Sequence, residues 1–155
     1  MENNYLKKDY LLVAFGLSAW LAISGFAYSV EILFENLLIL TNFDNKFKFW
    51  FTDILFNISN ILSFYFFLKI IKPNVDYLKW IKFFIILYII TQVFQFLFTS
   101  YVGAYIVENY HESWVNQTDF YLKYTFGLIL KPIITYVRLI IVSFLFYSFY
   151  EKAEI

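Results

Sequence analysis

The sequence predicts an all-α integral membrane protein: a four-helix bundle of two antiparallel helical hairpins with both termini in the cytoplasm. Three observations lead there. First, 61 % of the 155 residues are apolar and 15 % are charged, against about 45–50 % and about 25 % in soluble domains. A soluble domain of this length has more surface than so few polar side chains can cover. Second, four stretches reach the roughly 20 apolar residues that a bilayer core demands. They cover residues 11–38, 49–71, 78–107 and 121–150. Third, the lysines are unevenly shared between the two sides. Lys7, Lys8, Lys69, Lys72, Lys79, Lys82 and Lys152 flank one side, whereas Lys46, Lys48 and Lys123 flank the other. The lysine-rich side is expected to be cytoplasmic.

The first span follows Lys7 and Lys8 and runs without a charge from Tyr10 to Val30. A signal peptide with a small-residue cleavage site near Ala27-Tyr28-Ser29 is the rival reading. The apolar run continues through Ile32 to Leu40, which favours an uncleaved helix. Thr41 to Lys48 make a short polar link to the second span. Lys72-Pro73-Asn74-Val75-Asp76 then make a tight turn, because proline cannot continue a helix. Asn74 is expected to cap the third helix and Asp76 to sit in its first turn. The longest link, residues 108–119, carries Glu108, His111, Glu112, Trp114 and Asp119. In the fourth span Pro132 removes a backbone hydrogen bond, and Gly127 loosens the same turn, so a kink is expected there. Trp50, Trp80 and Trp114 fall where an interfacial aromatic belt belongs. The four spans use nearly all of residues 1–155, which form one transmembrane domain.

Other totals exclude whole classes. Twelve basic and twelve acidic residues leave no net charge, so no nucleic-acid partner is implied. Without cysteine there are no disulfides, thiolate metal sites or cysteine nucleophiles. A single histidine removes any multi-histidine metal or haem site. We assign no catalytic residue, no metal and no cofactor. Abundant lysine, isoleucine, phenylalanine, asparagine and tyrosine are the mark of AT-rich coding, and the expected location is a bacterial cytoplasmic (inner) membrane. Glu108, His111 and Glu112, at spacings of three and four, are read as a solvated loop.

The informative residues are the polar ones inside the spans, since each buried charge costs about 2.5–3.5 kcal/mol on insertion scales. Ser24, Tyr28, Glu31 and Glu35 share one face of the first helix. Ser18, Ala22, Gly25 and Ser29 share another and form a small-residue packing stripe. Asp53, Asn57 and Asn60 share a face of the second helix; Tyr88, Gln92, Gln95 and Thr99 one of the third; Tyr124, Lys131, Thr135 and Arg138 one of the fourth. At about 1.5 Å of rise per residue, Arg138 and Asn60 lie near the midplane, with Lys131, Asn57, Gln92 and Gln95 slightly outward. Glu31 and Asp53 lie further outward still. Glu31 and Asp53 against Lys131 and Arg138 sum to zero, the economical arrangement for buried charge. Arg138 is the only arginine, and its planar fork suits a carboxylate or phosphate.

Two functions fit this pattern. The leading expectation is a non-enzymatic membrane protein acting as a homo-oligomer or as an accessory subunit of a larger membrane complex, because the first helix offers packing surfaces on two sides. The alternative is a small transporter, channel or pore-forming effector. Its charged pathway would be lined by Glu31, Asp53, Gln92, Gln95, Lys131 and Arg138, with Pro132 as the broken-helix feature.

Overall fold

A computed structural model of the chain describes residues 2–41, 45–71, 76–110 and 125–154. Among them every regular element is helical. Helix α1 spans Glu2–Ile39, α2 Asn45–Ile70 and α3 Tyr77–Phe98. A π-helical turn, Thr99–Gly103, joins α3 to the short α4, Ala104–Asn109. Helix α5 is Thr125–Glu154. Four stretches are long and apolar enough to cross a membrane: Asp9–Ile39, Trp50–Ile70, Tyr77–Ile106 and Pro132–Phe149. The chain is therefore an integral membrane protein of the all-helical class.

The helix ends follow local chemistry. Asp76 is itself the N-cap of α3, not a first-turn residue as the sequence suggested: its Oδ1 accepts from the backbone N–H of Leu78 at 3.1 Å and of Lys79 at 3.4 Å. A carboxylate there satisfies two orphan donors and meets the positive end of the helix dipole. Asn74 lies outside the described residues. At the end of α1, the Lys48 ammonium donates to the Thr41 carbonyl at 3.0 Å and is buried. It is a cation at a helix C-terminus. Pro132 is accommodated inside α5, which runs unbroken through it as a helix.

Helix α1 is the centre of the packing. It lies against α3 and α2, and α2 lies against α5. Along α1 and α2 the contacts step in opposite senses: Phe34 with Phe51, Ser24 with Asn60, Trp20 with Phe64. Along α1 and α3 they step together: Phe15 with Phe84, Gly25 with Thr91, Ser29 with Gln95. One core of Phe15, Ala19, Ala22, Ile23, Phe64, Phe84, Val142 and Phe149 collects side chains from all four long helices. Phe15 alone meets the rings of Tyr77, Phe84, Phe146 and Phe149. Offset and edge-on aromatic pairs of this kind stabilise by about 0.5–1.5 kcal/mol each beyond their burial. The aromatic cluster occupies one half of the bundle's length. Most of the buried polar residues, Ser18 apart, occupy the other.

Candidate functional site: a polar interior between α1, α2 and α5

The small-residue stripe of α1 is buried within the chain. Ala22 is 0 % exposed, and Ser18, Gly25 and Ser29 are buried beside it. Gly25 marks the closest approach to α3. A Cβ built there would stand 2.8 Å from Thr91 Oγ1 and 3.4 Å from Tyr88 Cδ2, which is why the crossing requires glycine. The same seam carries a complete set of hydrogen bonds. Gln95 Nε2 donates across it to the Gly25 carbonyl at 2.9 Å and to Ser29 Oγ at 3.1 Å. Gln95 Oε1 accepts from Gln92 Nε2 at 3.3 Å. Ser29 Oγ also donates to the Gly25 carbonyl at 2.9 Å, and Thr91 Oγ1 to the Tyr88 carbonyl at 2.7 Å. Gln92 itself is exposed on the outer surface of α3. The polar face expected from Tyr88, Gln92, Gln95 and Thr99 is thus split, with Gln95 turned inward and Gln92 and Thr99 turned outward.

The second polar region lies where α1, α2 and α5 meet. Asp53, Asn57 and Asn60 are all buried on one face of α2, Asn60 completely. Asn60 Nδ2 donates to Ser24 Oγ of α1 at 3.2 Å, and Asn57 Nδ2 donates to the Asp53 carbonyl at 2.7 Å. A carbonyl accepts only from the amide nitrogen, so Asn57 Oδ1 must point the other way. Neither Asn57 Oδ1 nor Asn60 Oδ1 has a hydrogen-bond partner among the described residues.

Arg138 enters this region from α5. It is 8 % exposed. Its guanidinium carbon lies 4.6 Å from the centre of the Phe56 ring and 5.9 Å from that of Trp20. A cation over two aromatic faces is stabilised by their quadrupoles, by about 0.5–2 kcal/mol in favourable settings. The charges of Asp53 and Glu31 also act on it. Arg138 Nε and Nη1 nevertheless have no hydrogen-bond partner among the described residues. Glu31, Glu35 and Asp53 are each engaged in interactions of their own. Buried donors and acceptors left unmade cost about 1–3 kcal/mol each, more when charged, so this cluster is the least self-satisfied part of the protein.

Of the other expected site residues, Glu31 and Glu35 are half-buried on α1, and Tyr28 is 48 % exposed. Lys131 belongs to α5, but its side chain lies outside the described residues, as do Tyr124, His111 and Glu112. Among the described residues no group of three or more histidine, cysteine or carboxylate side chains could hold a metal ion. The sequence reading missed Trp20, Phe56 and Thr91. Their signal was spacing: Trp20 is one turn before Ser24, Phe56 is one turn before Asn60, and Thr91 lies beside Gln92 on the inward side of α3.

Fold and site together define an all-helical membrane protein with a buried, incompletely paired polar cluster around one arginine. No protein-family model, no curated protein and no solved structure matches the chain.

Proposed function

We propose that this chain is a small, non-enzymatic multi-pass membrane protein that binds and passes a small polar solute between α1, α2 and α5, with Arg138 as the central contact. One observation carries this: a nearly fully buried arginine keeps two N–H-bearing nitrogens unpartnered, beside two amide oxygens in the same state. Ionisable groups inside a membrane are retained where they serve a solute path or a paired structural network, and a purely structural network would close its hydrogen bonds. Glu31, half-buried on α1, and Asp53, buried on α2, line the same path. Pro132 in the same helix leaves the Leu128 carbonyl, four residues before it, without its usual donor.

The assembly reading, as a homo-oligomer or an accessory subunit, draws on a different observation. The outer face of α3 presents Ile85, Ile86, Ile89, Ile90, Val93 and Phe96, all exposed. The small-residue stripe of α1 no longer supports it, because α3 of the same chain fills that face. In either case two antiparallel hairpins with both termini cytoplasmic, in a bacterial inner membrane, is the arrangement that the lysine distribution supports.

The test is solute permeation in proteoliposomes, read by osmotic swelling against protein-free vesicles, with native protein and Arg138→Met. Faster entry of small polar solutes, lost in the variant while the protein still inserts and unfolds cooperatively, is the expected result. Entry indistinguishable from empty vesicles, together with a defined oligomer in nanodiscs, overturns it in favour of assembly.

A further inference from the structure

We infer that the Arg138 cluster takes a small zwitterion, carboxylate end toward α5 and ammonium end toward α2. The inference rests on Arg138 being a solute site at all, and adds the chemical class of the solute. Among the unpartnered atoms, α5 contributes the donors Arg138 Nε and Nη1, and α2 contributes the acceptors Asn57 Oδ1 and Asn60 Oδ1. The two sets share one level of the bundle. Arg138 lies over Phe56, the residue before Asn57, and over Trp20, one turn from the Ser24 hydroxyl that Asn60 meets. With rings on two sides, what the guanidinium still offers is N–H groups, which match a carboxylate. The amide oxygens of α2 match N–H donors.

Charge selects between the candidates. A lone anion would share the site with the carboxylate charges of Asp53 and Glu31, which already act on Arg138. A lone cation would meet Arg138 itself. A zwitterion brings no net charge into the apolar interior, and its dipole lies along the field between guanidinium and carboxylates. Asn60 is completely buried, so a solute reaches it only as the helices part, and one the size of glycine needs the smallest opening.

Thermal unfolding and calorimetric titration of the full chain in nanodiscs separate the cases with four probes: glycine, acetate, methylammonium and glycine betaine, the last a zwitterion without N–H. Glycine is expected to raise Tm in a saturable way through preferential binding to the folded state, and the other three are not. Arg138→Met and Asn57→Leu should each weaken glycine binding by about tenfold or more, the worth of one charge-assisted contact. An equal response to acetate, methylammonium or betaine overturns the zwitterion while the solute-site reading stands. No response to any probe, in protein that permeates no small polar solute, overturns both. The comparison of the four probes is made on the native chain, so it decides even where a variant fails to fold.

Discussion

The α1–α3 seam and the α1–α2–α5 interior are built from similar side chains and reach opposite ends. In the seam, both heteroatoms of the Gln95 amide are used, the Ser29 and Thr91 hydroxyls are bonded to backbone, and Gly25 brings the two helices to contact distance. Across the bundle, Asn57 and Asn60 each leave an oxygen unmet, and Arg138 leaves two nitrogens. A closed polar set in an apolar medium is a structural fastener. An open one is retained at a cost in stability and indicates a function. Substitution should therefore lower stability at the seam and alter ligand response in the interior.

The largest effect on stability is expected from Gly25→Leu. A Cβ alone already stands 2.8 Å from Thr91 Oγ1, so a leucine must push the helices apart, at a cost of about 3 kcal/mol by the usual scale of overpacking. Gly25→Ala should cost about 1 kcal/mol by the same rule, and Thr91→Ala in the same chain should relieve most of it, because the obstructing oxygen is gone. Unfolding of the two singles and the double in nanodiscs gives the coupling. Additive losses would place the Gly25–Thr91 approach elsewhere than the seam.

Arg138 comes next. Its loss removes the cation over Phe56 and Trp20 and leaves Asp53 and Glu31 without its charge. Asp53 is buried one turn from Phe56, whose ring Arg138 covers, whereas Glu31 is half-buried, so the Arg138→Met, Asp53→Asn cycle should show the larger coupling, about 1 kcal/mol, within the usual range for neighbouring charges. The Arg138→Met, Glu31→Gln cycle should show less. Equal or absent coupling in both would detach the arginine from the acids and leave its aromatic contacts as its sole anchor. Arg138→Lys keeps the charge but not the fork, and should preserve stability better than it preserves ligand response.

These two regions were unequally legible in the sequence. The spans were readable because apolar run length is set by bilayer thickness, and the helices found at Asp9–Ile39 and Trp50–Ile70 match the expected stretches within a few residues. The stripe of Ser18, Ala22, Gly25 and Ser29 was visible from its spacing, but spacing gives a face and not the neighbour that covers it. It suggested packing against another helix, and α3 of the same chain is the helix that lies there. Arg138 stood out as the only arginine. Its surroundings did not, because Trp20 and Phe56 are two among many aromatics that composition attributes to coding bias. Nor could pattern reading distinguish a hydrogen-bonded amide from one with an open oxygen, since that depends on which helix stands opposite.

The smallest effects come from a pair of glutamines one turn apart. Gln95→Leu removes two cross-helix hydrogen bonds, to the Gly25 carbonyl and Ser29 Oγ. Interhelical bonds in membranes average about 0.6 kcal/mol each, so a loss of about 1 kcal/mol is expected. Gln92 is exposed on the outside of α3 and bonds only to Gln95 among the described residues. Gln92→Leu exchanges an exposed amide for an apolar surface at a lipid-facing position, so its stability should stay within about 0.5 kcal/mol of native, as surface changes usually do, and insertion should improve if anything. Helical periodicity alone puts both residues on one stripe, so the measurement separates the seam from the stripe. Equal losses at Gln92 and Gln95 would mean that the outer face of α3 is covered, and would turn the bet from a self-contained solute site toward an assembly partner seated on that helix.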